Sequence, residues 1–158
     1  QQLLTGRTDI AFAAGPIAHP ALTSCPIGLV SLVWLASPDV AAAFHAGKAD
    51  RLIPVWSLAS HSPIHGRMRE AIAASQIAHS LLNLCNNARI MIDIARAGGG
   101  IGIFPESMAR DEVASGALVV LEGMPALAPI EFHVSKRAFD NEPVTHAIFE
   151  RASALRLT

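Results

Sequence analysis

Ser60, His61 and Ser62 stand in a row immediately before Pro63. Two hydroxyls and an imidazole ahead of a helix start are suited to binding an anion. The first N–H groups of a helix have no partner inside it, and the helix dipole places partial positive charge there. Ser62 fits the cap position and Pro63 the first helical position. The plainer reading is a helix cap alone. The two roles compete for the lone pairs of Ser62.

Other chemistries fit less well. His61 and His65 are four apart, a spacing that puts two imidazoles on one helical face for a metal. Pro63 falls between them and marks the helix start, so His61 lies outside the helix. No Cys/His pair completes a set, and no metal is expected. The run Gly98-Gly99-Gly100-Ile101-Gly102 invites a dinucleotide-loop reading. That loop needs strand, glycine turn, helix. Here the helix comes first, so the run reads as a turn that lets helix and strand pack closely. There is no G-x-S-x-G elbow. Ser, His and Asp occur, but nothing in the sequence makes them converge. No catalytic residue and no cofactor are assigned. Cys25 and Cys85 stand far apart in sequence and read as a pair of buried thiols in a reducing compartment.

The elements that would position these groups alternate. Gln1 to Leu4 read as the end of a helix stopped at Gly6. Asp9 to Ala14 form a short strand closed by Gly15-Pro16, so Ala14 and Gly15 sit at a strand's C-terminal end, where α/β folds place ligands. Leu29 to Ala36 read as one long strand and residues 39–46 as a short helix. A second apolar run, Leu52 to Trp56, is a strand with a proline. A helix follows Ser62, with Ile64, Met68, Ala71 and Ile72 on one face. Ser80 to Leu84 form a strand, and Asn86 or Asn87 caps a helix with the face Ile90, Met91, Ile94 and Ala97. Ile101 to Phe104 form a buried strand, Pro105-Glu106 open a helix ending near Gly116, and Ala117 to Leu121 form a strand. Ile130 to Val134 alternate as a half-exposed strand. Asp140 or Asn141 caps a last helix with Val144, Ile148, Ala152 and Leu155 on one face. This order specifies an α/β fold with at least partly parallel sheets.

Hydrophobic residues make up 51% of the 158-residue chain and charged residues 16%. That composition supports a buried core and excludes disorder. No apolar run reaches the roughly 18 residues of a membrane helix, and no signal-peptide pattern opens the chain. With a net charge of −1 and no Lys/Arg cluster, this chain by itself offers no face for a phosphate backbone.

Two stretches resemble the LysR family of bacterial transcriptional regulators. Leu3-Leu4-Thr5-Gly6-Arg7-Thr8-Asp9-Ile10-Ala11-Phe12 is similar to the family's L-x-x-G-x-L/I-D-L-A-I, with Thr8 in place of the usual apolar residue. It runs on to Pro26-Ile27 and Leu32-Val33-Trp34-Leu35-Ala36-Ser37-Pro38. The second stretch, Ile94-Ala95-Arg96-Ala97-Gly98-Gly99-Gly100-Ile101-Gly102-Ile103-Phe104-Pro105-Glu106-Ser107-Met108, resembles the family's V-A-A-G-x-G-I-A-L-L-P-E segment. It is followed by Gly116-Ala117-Leu118-Val119-Val120-Leu121. Each fragment is weak alone; their order and spacing along nearly the whole chain are specific.

The resemblance implies a type 2 periplasmic-binding-protein-like fold with two α/β subdomains joined by two crossover strands. Residues 1–30 with 133–158 would form the first subdomain and residues 38–127 the second, with crossovers at 31–37 and 128–132. The family's domain begins earlier, with a strand, a helix and a strand, so the first subdomain is expected to be incomplete. The resemblance further implies a cytoplasmic, homodimeric regulator that senses a small-molecule effector in the cleft between its subdomains. DNA would be bound only through a winged helix-turn-helix domain absent from this chain. Ser60, His61, Ser62, Ala14, Gly15, Gly102 and Phe104 would lie at the effector pocket. A small neutral Ala14 removes one carboxylate clamp found in some relatives. The Ser60–Ser62 turn favours an effector with a carboxylate or other acceptor-rich end. The alternatives are a solute-binding protein of a transporter with the same fold and, less favoured, an enzyme on it.

Overall fold

A computed structural model describes residues 2–47, 53–74 and 82–157. In chain order its strands are β1 (Ile10–Ala14), β2 (Leu22–Val30), β3 (Leu32–Ala36), β4 (Val55–Leu58), β5 (Leu82–Cys85), β6 (Ile101–Pro105), β7 (Val119–Val120) and β8 (Ile130–Arg137). Its helices are α1 (Pro38–His45), α2 (Pro63–Ala73), α3 (Ala88–Arg96), α4 (Arg110–Ala114) and α5 (Pro143–Ser153). The chain divides into two compact units, residues 1–30 with 129–158 and residues 31–128.

The first unit is an antiparallel sheet in the order β1-β8-β2 with α5 on one face. Phe149 and Ala152 of α5 close a core with Ile27 and Val134. Before β1 the chain makes a turn rather than a regular helix, with Gly6 N–H donating to the Leu3 carbonyl. The Arg137 guanidinium fixes this turn to the end of β8. Its Nη1 donates to the carbonyls of Leu3 (3.2 Å) and Thr8 (3.0 Å), and its Nη2 to Asp9 and Asp140, both at 2.7 Å.

The second unit is a mixed five-stranded sheet in the order β5-β4-β6-β3-β7. β5, β4 and β6 run parallel, and β3 runs antiparallel to both β6 and β7. Trp56 and Leu58 face a core built on Met91, Ile92 and Ala95 of α3 with Leu35, Phe104 and Leu118. Val55 and Ser57 alternate to the other face, where they are fully buried and Ser57 meets His65 of α2. Thus α2 and α3 cover opposite faces, and β6, buried along all five residues, lies between them.

Several expectations shift. The run Leu29 to Ala36 is two strands, not one. Ser31 separates β2, which pairs with β8, from β3, which pairs with β6 in another sheet. Apolar continuity carries no record of which partner each half finds. On α3 the buried face is Met91, Ile92 and Ala95, and Ile90 is 50% exposed. Arg89, Asp93 and Arg96 stand together on the outer side and would have set that phase. On α5 the buried face is Thr145, Phe149 and Ala152, leaving Val144 and Ile148 exposed. The large Phe149 ring decides that rotation. Glu142 holds the cap position of α5 without a side-chain cap, while Asp140 accepts from the Glu142 N–H at 3.0 Å. A 3-10 turn at Glu106–Met108 precedes the short α4 where one helix was expected. Strand β8 continues past Val134 to Arg137. Cys25 and Cys85 are free thiols, half-buried rather than buried. Leu52, Ser80 and Leu81, expected to begin two strands, lie outside the described residues. Among the described residues no helix is long and apolar enough to cross a membrane.

The glycine run is a packing device. At Gly100, with φ +136°, a Cβ would stand 2.2 Å from the Pro54 carbonyl oxygen. At Gly102 it would stand 2.9 Å from the Phe104 ring and 3.2 Å from the Trp56 carbonyl oxygen. Gly102→Ala should therefore destabilise the chain by about 1–3 kcal/mol through overpacking. Urea unfolding midpoints measure this, and an unchanged midpoint would mean that the ring has room to move.

The Glu142 N–H holds the Asp140 carboxyl below its ordinary value near 3.8, and Arg137 adds to the effect, against the opposing effect of burial. A carboxyl with a lowered folded pKa stabilises the fold above its unfolded value. That stability is lost as pH falls through the folded pKa. Asp140→Asn should lower Tm at neutral pH and shrink the fall in Tm on acidification below about pH 4. Equal acid sensitivity in the two proteins would remove Asp140 from this role.

Candidate functional site

The turn after β4 is built from the strand outward. Ser57 Oγ lies 3.1 Å from His65 Nδ1 and donates to the Leu58 carbonyl at 3.2 Å. The chain then reverses, with the Ser62 N–H donating to the Ala59 carbonyl at 2.8 Å. Ser62 caps α2, its Oγ accepting from the Ile64 N–H at 3.3 Å. The His65 N–H donates to the Ser62 carbonyl at 3.0 Å. Pro63 has no N–H to offer. Ser62 therefore occupies donors that the anion reading wanted free. Ser60 and His61 are exposed and show no hydrogen bond to the described residues.

The turn lies at the C-terminal end of β4, and Phe104 lies near the C-terminal end of the neighbouring parallel strand β6. Ligands of α/β folds gather at such ends. Phe104 itself is 1% exposed, packed among Leu35, Met91, Ile92, Ala95 and Leu118, with Gly102 beneath its ring. Neither offers open surface in this conformation. Ala14 and Gly15 belong to the other unit. Ala14 is exposed at the end of β1, and the Gly15 N–H donates to the Glu131 carbonyl at 2.8 Å.

The structure adds the Ser57–His65 pair, which sequence reasoning did not single out. A buried serine eight residues before a histidine becomes visible only when the strand–turn–helix geometry folds one onto the other. The contact engages Nδ1 of His65. Among the described residues no group of three or more His, Cys, Asp or Glu side chains is arranged to hold a metal.

The model of the LysR substrate binding domain matches residues 1–153. No curated protein sequence matches the chain. Solved structures that share its fold include these three. Full-length LysG of Corynebacterium glutamicum with bound effector Arg is 17% identical with a TM-score of 0.77, covering 99% of this chain and 55% of that one. The bromide-bound regulatory domain of HypT from Salmonella typhimurium is 14% identical with a TM-score of 0.80, covering 96% of this chain and 73% of that one. Vibrio fischeri DarR in complex with DNA is 18% identical with a TM-score of 0.77, covering 98% of this chain and 53% of that one. This chain thus spans about half the length of the full-length regulators it matches. Its fold is the periplasmic-binding-protein-like α/β fold of LysR-type regulatory domains. With the match running over nearly its whole length, the chain belongs to the LysR substrate-binding domain family.

Proposed function

We propose that this chain is the effector-sensing part of a cytoplasmic transcriptional regulator and acts by binding a small molecule, not by catalysis. The observation that carries this reading is the turn at Ser60 and His61. Both side chains are exposed at the C-terminal end of a parallel strand, ahead of a helix already capped by Ser62. Ser60 and His61 supply the polar end of the site, with the Ser62 hydroxyl shared between cap and ligand. Ala14 and Gly15 enter as the small neutral turn that the family resemblance assigns to the effector. The compact units at residues 1–30 with 129–158 and 31–128 support a division into two subdomains. Residues 31–37 and 128–132 are the connections in that reading. DNA contact falls to another part of the regulator, since this chain carries a net charge of −1.

Magnitudes constrain the effector. Micromolar binding requires about −8 kcal/mol. Each charge-assisted hydrogen bond contributes roughly 1.5–3 kcal/mol, and a partly buried helix terminus up to about 2. Polar contacts at this turn therefore need apolar help, which Phe104 does not supply while its ring is buried. The fitting effector is a small carboxylic acid with an apolar body. A panel of such acids, followed by thermal unfolding, should contain members that raise Tm, because a ligand bound only to the folded state stabilises it. Ser60→Ala with Ser62→Ala should weaken these by more than about tenfold and cost roughly 1 kcal/mol through the lost cap. Equal Tm rises in the folded double variant would move the site elsewhere.

The regulator is also proposed to be a homodimer. β5 is an edge strand with Leu82 and Leu84 39% and 53% exposed, and the neighbouring α3 exposes Ile90. An open apolar edge of this kind asks for a partner. In the regulator that carries this domain, Leu84→Asp with Ile90→Asp should convert dimer to monomer in sedimentation at micromolar concentration. A dimer that survives both changes would place its interface on another face.

A further inference from the structure

The residue 31–128 unit holds a concave site at the end opposite the Ser60–Ser62 turn. A cavity of about 740 Å³ is lined by the start of α1, the end of α3 and the residues that lead into β4 and β6. Pro54 immediately precedes β4 and Gly100 immediately precedes β6, so the cavity lies at the N-terminal ends of these parallel strands. The length of β4 separates it from the Ser60–Ser62 turn.

Three features give the cavity a chemistry. Ser37 holds the cap position of α1 but makes no cap hydrogen bond. Its residue is 7% exposed, and its hydroxyl has no partner at all. That hydroxyl stands 3.8 Å from where a side chain on Gly98 would begin, facing the other wall of the cavity. The Asp39 and Val40 N–H groups show no hydrogen bond to the described residues, so the α1 terminus keeps its donors. Arg96 lines the same cavity, 46% exposed, and its ion pair with Asp93 is a loose one of 3.6 Å. The C-terminal end of α3 also meets the cavity. The Asp93, Ala95 and Ile94 carbonyls there accept from the N–H groups of Ala97, Gly98 and Gly99, which lessens the partial negative charge of that helix end. Asp39 is the one acidic side chain among the lining residues. Val40, Ala43, Pro54 and Ala97 make the rest of the wall apolar.

We propose that this cavity is a second small-molecule site, which takes a carboxylate carrying a short apolar body. The carboxylate meets the Ser37 hydroxyl, the α1 N–H groups and the Arg96 guanidinium; the body lies on Val40, Ala43 and Pro54. A buried hydroxyl without a partner is costly in the free protein, and a bound acceptor removes that cost. Arg96 supplies the planar donor fork that suits a carboxylate.

The test uses the 158-residue chain, labelled with nitrogen-15 and titrated with sodium octanoate. Saturable shifts are expected at the amides of Asp39, Val40 and Gly98. Arg96→Ala should weaken binding by about tenfold, with Arg96→Lys in between. Asp39→Asn should strengthen it. Ser37→Ala should weaken it without lowering Tm, because the hydroxyl holds no bond in the free protein. Ser62→Ala should leave these shifts unchanged, which separates this site from the proposed effector turn. Octanol, with the same body and no charge, should bind more weakly than octanoate, and inorganic phosphate should fail to displace it. The proposal is overturned by an absence of saturable shifts or by shifts confined to residues 60–66. It is equally overturned by undiminished affinity in Arg96→Ala, by octanol binding as well as octanoate, or by ready displacement by phosphate.

Discussion

Strand β6 carries five buried residues in a row, Ile101 to Pro105, with β4 and β3 on its edges and α2 and α3 over its faces. Such a strand has no polar side and must be covered everywhere, as in parallel sheets generally. Its entry is correspondingly tight. The Ile101 N–H donates to the Pro54 carbonyl at 2.9 Å, and Trp56 donates its indole N–H to the Gly99 carbonyl at 2.9 Å. Only glycine fits at positions 100 and 102 in this packing. Once β6 is fixed, the rest of its unit is placed. β4 must lie parallel beside it, and the turn that follows β4 is thereby delivered to the C-terminal end of the sheet.

That delivery explains why the Ser60–Ser62 turn deserves a functional reading even though much of its bonding is structural. Ser62 is committed to the cap of α2, and His65 to Ser57. These bonds brace the turn and leave the adjacent Ser60 and His61 exposed to solvent. A binding turn held in place by its neighbours loses less entropy on meeting a ligand than a loose one. The same logic separates the two ends of the sheet. At one end a serine caps its helix and its neighbours are free; at the other Ser37 sits at the cap position without capping.

Signals local to a few residues were legible in the sequence. Ser62-Pro63 and the pair Asn86-Asn87 announced the starts of α2 and α3, with Asn87 the residue that caps, and Gly98 to Gly100 announced a turn. The family resemblance, carried by ordered fragments at both ends of the chain, was confirmed over residues 1–153. What failed needed tertiary information. The division of Leu29 to Ala36 at Ser31 depends on two different partner strands. The rotations of α3 and α5 were ambiguous because apolar residues occupy adjacent positions, and burial follows the neighbour each helix meets. Phe104 was legible as an apolar strand residue. Its complete enclosure depends on α3 and on Gly102 beneath the ring.

The central claim is that the polar turn at the C-terminal end of β4 receives the effector. A crystal structure of the domain bound to the acid that most raises its Tm tests this most directly. The account predicts the carboxylate within hydrogen-bonding distance of Ser60, His61 or Ser62, with the cap of α2 intact. Ligand density elsewhere on the domain, with that turn free of ligand, would contradict it.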